Sequence, residues 1–216
     1  LFLSRKNQLV APDEALAGRD GRQFAIADKH RVLDAPVVTD EVPAGYEVAL
    51  FGLGCFWGAE EIYWQVPGVW STSVGYAGGT TPNPTYEEVC SGLTNHTEAV
   101  RIVFDPTRVS FADLVKTFFE VHDPTQGFRQ GNDVGTQYRS AIYWTTPEQE
   151  QVARDLTKVY GDELKRRRLG DITTEIRPAS ETPYFYAEDH HQQYLAKNPH
   201  GYRCHANTGV RFPADA

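Results

Sequence analysis

Strand-like and helix-like segments alternate along this sequence, which predicts a sheet with helices packed on it. Three observations lead there. Short apolar runs end in glycine or Asp-Pro, as strands do. Between them lie segments with helical spacing and recognisable caps. The chain has 216 residues, of which 40% are apolar and 23% charged, enough for one domain with a proper core.

Residues 1–45 carry Pro12, Gly18, Gly21, Pro36 and Pro43 with little periodicity. They read as an irregular extension packed on the domain, with at most a short helix near residues 13–17. The domain proper is expected over 46–197. EVALFGLG (47–54) is a strand ending in glycines, and CFWGAEEIYWQ (55–65) a helix stopped by Pro67-Gly68. A strand over 70–75, a Gly/Pro-rich loop, a short helix over 86–90 and a strand over 98–104 follow. Ser110 is an expected N-cap, with Phe111, Leu114, Val115, Phe118 and Phe119 forming one buried helical face. Residues 123–137 are a long polar loop, a common home for function. YRSAIYW (138–144) reads as a strand. Thr146-Pro147-Glu148-Gln149 reads as a capping box opening a long helix, with Val152, Leu156, Val159 and Leu164 as its core stripe. A strand over 173–177, a helix over 187–196 and a flexible tail over 198–216 complete the chain.

Composition excludes several function classes. A net charge of −8 argues against nucleic acid, whose phosphates need a basic face. No run approaches the roughly 20 apolar residues of a membrane span. LFLSRKNQLV meets Arg5 and Lys6 too soon for a signal peptide. Three cysteines make no disulfide scaffold, so a cytoplasmic setting is expected, where cysteines are either core filler or chemistry. Methionine is absent altogether.

Cys55 stands where a strand gives way to a helix. The free N–H groups and positive dipole end of that helix would favour its thiolate. Gly54 and Gly58 would let a bulky group approach, and Phe56 and Trp57 would wall a small apolar one such as a methyl. The bland alternative is a buried structural cysteine. Gly52, Gly54 and Gly58 mimic a dinucleotide fingerprint, but the third glycine comes one residue late. His190 and His191 are neighbours without an i, i+4 partner, so no metal site is expected.

GCFWGAE resembles the signature of the peptide methionine sulfoxide reductase A family. The likeness continues through GYAGGTTPNPTYEEVCSGLTNHTEAVRIVFDP, HDPTQGFRQGNDVGTQYRSAIY and FYAEDHHQQYLAKNP, from about Tyr46 into the tail. The resemblance implies an α+β two-layer sandwich with a mixed central sheet. It implies that Cys55 attacks the sulfoxide sulfur and that Glu98 protonates the oxygen, with Tyr86 and Tyr138 as hydroxyl donors. Phe56 and Trp57 would form the methyl pocket and Asp133 help hold the substrate. A sulfenic acid on Cys55 would then be resolved by a second thiol. Cys204, between Gly201 and Gly209, is the expected one, with Cys90 read as core filler. Many relatives carry two tail cysteines; here TGVRFP stands where another would sit. The implied partners are oxidised proteins, methionine sulfoxide of the S epimer, and thioredoxin or a similar thiol reductant. No cofactor is implied, and a monomer is expected. Two rival functions remain: a cysteine hydrolase or acyltransferase pairing Cys55 with a distant histidine such as His122 or His190, and a non-catalytic reader of oxidised peptides.

Overall fold

Strand β1, Glu47–Leu53, occupies the middle of a six-stranded sheet in a computed structural model that describes residues 5–214. The first four residues of the N-terminal extension and the last two of the tail lie outside the described residues. Along the chain β1 is followed by α1 (Phe56–Trp64), β2 (Val69–Ala77), α2 (Tyr86–Cys90), β3 (Thr97–Phe104) and α3 (Phe111–Val121). Next come β4 (Arg129–Gln130), β5 (Asp133–Val134), β6 (Ser140–Trp144), α4 (Pro147–Arg166), β7 (Glu175–Pro178), β8 (Phe185–Tyr186) and α5 (Tyr194–Lys197). The sheet order is β7-β6-β1-β3-β2-β8. All its pairs are antiparallel except β6 with β7. That parallel pair needs a crossover, and α4 supplies it. The fold is therefore α+β with a mixed sheet.

Alternation along the strands decides what each face meets. Ala49, Phe51 and Leu53 of β1, Val100, Ile102 and Phe104 of β3, and Ile142 of β6 pack with α1, α3 and α4 in the main core. Leu50, Ala99, Ala141 and Tyr143 point the other way, into a smaller cluster. Glu98 shares the parity of Val100 and Ile102, so it faces the helices.

The caps explain the helix starts. Ser110 and Asp113 form a reciprocal capping box on α3, and all five expected apolar residues of that helix are buried. On α4 only half of the expected box forms. Thr146 accepts from Gln149 N, but the Gln149 side chain turns to the Thr145 amide instead, at 3.0 Å. The α4 core stripe is Ala153, Leu156, Tyr160 and Leu164, with Val152 and Val159 half-buried at its edge.

Elsewhere tertiary contacts override the pattern. Tyr138 ends a 3₁₀ turn (Thr136–Tyr138) rather than opening a strand. The helix expected over 187–196 is broken into a 3₁₀ turn (Asp189–His191) and the short α5, because Gln193 takes a left-handed φ of 47°. The extension buries Ile26, His30, Ala35 and Val37. Among the described residues the tail has no regular element, yet Val210 and Phe212 are buried in the main core. Among the described residues, no helix is long and apolar enough to cross a membrane.

Candidate active site

The turn from β1 into α1 carries the site. Gly54 adopts φ +92°, a region that L side chains avoid. A Cβ there would also lie 2.7 Å from Gln130 Cγ. Gly54 thus serves the turn and the packing of Gln130, not the approach of a substrate. Cys55 follows as the N-cap of α1.

Cys55, Phe56, Trp57, Tyr86, Glu98, Asp133 and Tyr138 line one cavity of about 200 Å³, together with Tyr202. A larger cleft of about 400 Å³, lined by Gln8, Leu9, Val10, Glu14 and Leu93, contains no nucleophile. Chemistry, not size, selects the smaller one.

Glu98 is buried on β3, where its Oε2 accepts the Phe56 amide at 2.9 Å. Burial, the largest influence, pushes its carboxyl up to about 8, against the pull of the Phe56 amide. Asp133 adds to the rise. At neutral pH Glu98 therefore holds a proton. The Tyr86 and Tyr138 hydroxyls are also shifted upward by burial, with Glu98 among the charges that add to it. They remain protonated donors.

Cys55 departs from the sequence expectation. Burial first, and the Glu98 charge second, push its thiol well above the ordinary range. The Trp57 and Gly58 amides at the start of α1 pull the other way and are outweighed. The helix N-terminus alone does not make a resting thiolate here. The Asp133 charge adds a smaller push upward, and when Glu98 carries its proton its own share of the rise disappears.

Sequence reasoning missed the support behind Trp57. Its indole N–H donates to His191 Nδ1 at 3.1 Å, and its ring stacks on Tyr194 with centroids 3.8 Å apart. His191 Nδ1 is then an acceptor and its proton sits on Nε2, 4.0 Å from Glu188 Oε2. Burial lowers its pKa to about 3, so the ring stays neutral. Glu188 in turn accepts the Tyr86 amide at 2.8 Å and the Tyr76 hydroxyl at 2.9 Å. Tyr202, also missed, donates to Asp133 Oδ2 at 3.1 Å. Its proximity to Cys204 in GYRC was the one signal available.

A second, much smaller cavity of about 20 Å³ lies on another side of Cys55. Cys204, Gln130, His122 and Ala206 are among its lining. The Cys204 thiol donates to the Gln130 carbonyl at 3.6 Å. Cys90 lines neither cavity. It is not core filler either: half-buried on α2, it faces the Tyr86 hydroxyl. His122 has both ring nitrogens engaged, Nδ1 with Phe118 O and Nε2 with Ser140 Oγ, so neither is free to serve Cys55 as a base. His190 is exposed. The hydrolase reading loses His122 as its base.

Known proteins decide the family. The model of the family described as peptide methionine sulfoxide reductase matches residues 47–213. The chain belongs to the peptide methionine sulfoxide reductase family. The MsrA of Salinispora arenicola is 54% identical over 216 residues, covering 99% of this chain and 96% of that protein. The methionine sulfoxide reductase A structure from Corynebacterium diphtheriae matches with a TM-score of 0.85 and 50% identity, covering 95% of this chain and 99% of that one. Reduced Mxr1 from Saccharomyces cerevisiae matches at 0.67 and 32%, covering 75% and 91%. The protein is thus an oxidoreductase that reduces methionine sulfoxide, a repair reaction for oxidised proteins.

Proposed function

We propose that the protein reduces methionine S-sulfoxide through a sulfenic acid on Cys55, resolved as a Cys55–Cys204 disulfide and recycled by thioredoxin. One observation carries this reading: a thiol and a carboxyl that keeps its proton at neutral pH share one cavity of about 200 Å³ with two aromatic walls.

The chemistry follows from that pairing. A sulfoxide oxygen leaves poorly unless it is protonated, and Glu98 holds the proton to give. Tyr86 and Tyr138 donate hydrogen bonds to the same oxygen as negative charge builds on it. The Cys55 sulfur attacks the substrate sulfur, and its thiol proton replaces the one Glu98 gave up. The oxygen passes to Cys55 as the hydroxyl of a sulfenic acid, and methionine leaves with the electron pair of the broken S–O bond. Phe56 and Trp57 hold the methyl group, with His191 and Tyr194 fixing the indole. Asp133 and Tyr202 at the rim hold the rest of the substrate. The Cys204 thiol then condenses with the sulfenic acid and water departs. A dithiol reductant of the thioredoxin class restores both thiols by exchange. The remaining parts of the reading are a monomer in the cytoplasm and a requirement for no cofactor.

The test is incubation with a methionine sulfoxide peptide and a dithiol, followed by its mass. Loss of one oxygen, about 16 Da, by wild type and not by Cys55→Ser supports the reading. Equal loss by both proteins would overturn the nucleophile.

A further inference from the structure

The small hairpin inside the polar loop has two working sides. Gln130 and Asp133 pair across it. Asp133 lines the larger cavity and accepts the Tyr202 hydroxyl. On the other side the Gln130 carbonyl accepts the Cys204 thiol, two residues along the same tail. Gln130 is itself immobilised. It is buried, its amide bonds Asp123 N at 3.0 Å and Asp123 O at 2.8 Å, and its Cγ packs where a Gly54 Cβ would be. The residue that holds Cys204 therefore also abuts the residue before Cys55.

Gly131 completes this arrangement. It adopts φ +59°, and a Cβ there would stand 2.8 Å from Ala206 Cβ and 3.3 Å from Cys204 Sγ. The first distance is closer than side-chain carbons approach, and the second is tight. Only glycine lets the tail lie flat against the hairpin at this height. The adjoining cavity of about 20 Å³, shared by Cys55 and Cys204, has room for about one water.

We propose that Gly131, with the Gln130 carbonyl, is a positioning site for the resolving thiol: it sets the rate of disulfide closure and takes no part in sulfoxide reduction. This inference rests on the assignment of Cys204 as the resolving thiol. In closure the Cys204 sulfur attacks the sulfenic sulfur of Cys55. The S–S bond forms, the S–O bond breaks, and the hydroxyl leaves as water with the Cys204 proton. Cys204 is oxidised as the Cys55 sulfenic sulfur is reduced, so the step balances without a co-reactant. In-line attack depends steeply on placement, and a tail lifted off Gly131 moves the attacking sulfur.

The experiment is a rapid-quench single turnover with a methionine sulfoxide peptide, without external thiol. Methionine and free thiols are both followed in wild type, Gly131→Ala and Gly131→Asn. Asparagine tolerates a positive φ, so it separates the added Cβ from backbone strain. Methionine should appear at the wild-type rate in both variants. Loss of the first thiol, that of Cys55, should keep pace with methionine, and loss of the second, that of Cys204, should slow by about ten- to a hundredfold, as displacements of about 1 Å do in such reactions. A probe that captures sulfenic acid should label Cys55 in the interval. Adding Ala206→Gly to Gly131→Ala removes the nearest clashing atom and should recover part of the closure rate. Closure at the wild-type rate in both variants, or equal slowing of both steps, overturns the proposal. A wild-type disulfide mapped to Cys90 instead of Cys204 would overturn the assignment beneath it, a result distinct from either of those.

Discussion

The Glu98 carboxyl accepts the backbone amide of Phe56 at 2.9 Å, so the proposed proton donor is fastened to the residue that follows the proposed nucleophile. This bond ties strand β3 to the start of α1. Any shift of Cys55 carries the amide that holds the acid, and the two reacting groups keep their spacing.

Glu98→Gln is expected to slow methionine formation in a single turnover by about 10²- to 10⁴-fold, the usual span of a general acid. The amide can no longer give up a proton. In wild type the same step should fall as pH rises through about 8, where the acid loses its proton. A single-turnover pH profile flat from 6 to 9 (about three units, spanning that titration) would assign the proton elsewhere.

Cys204→Ser should yield about one methionine per enzyme and then stall with thioredoxin as sole reductant, because the sulfenic acid lacks its thiol partner. Cys90→Ser should keep turning over, since Cys90 lines neither cavity reached by Cys55. The assay must exclude small thiols, which attack a sulfenic acid directly. The reverse pattern would exchange the two roles.

Much of the site was legible because its motifs are local. GCFWGAE puts Cys55, Phe56 and Trp57 on one turn, and Glu98, Tyr86 and Asp133 each sit in a distinct short segment that the family resemblance singles out. The structure brings all six to one cavity. The alternation of β1 and the stripe of α3 likewise survive in the structure because burial of a single face dictates them. What escaped was set by partners distant in sequence. His191 supports Trp57 across 134 positions and Tyr202 meets Asp133 across 69. Strands β4, β5 and β8 are two residues long, too short to carry any period. The break in the helix expected over 187–196 comes from Glu60, whose buried carboxylate takes the Gln193 amide at 2.7 Å and side chain at 2.8 Å. The thiol of Cys55 went the wrong way because burial, invisible in sequence, outweighs the helix end.

Gly54→Ala should destabilise the fold by about 1–3 kcal/mol, combining a positive φ with a clash against Gln130. Chemical denaturation of the variant beside wild type measures it. An unchanged midpoint would mean that the turn tolerates a side chain.

Stability should peak near pH 6.5. Burial pushes Glu98 up to about 8 and Glu60 to about 7, so the native state holds protons there that the unfolded chain releases. What they contribute is lost as pH rises through those values. Burial lowers His30, His96 and His122 to about 4 and His191 to about 3. Their contribution is complete above their ordinary value of 6.5 and is lost as pH falls below it. Below that value four histidines outweigh two acids, so stability declines on the acid side as well. Denaturant midpoints across this range check the prediction, and a maximum displaced to about pH 9 would refute it.

Passage of oxygen from the substrate to Cys55 is the step from which the rest of the proposed cycle follows. Peptide mass mapping of Cys204→Ser after one turnover with methionine sulfoxide, without any reductant, tests it most directly. One added oxygen, about 16 Da, is expected on the peptide containing Cys55, in step with the methionine formed. Methionine formed with Cys55 unmodified, or the oxygen found on Cys90, would contradict it.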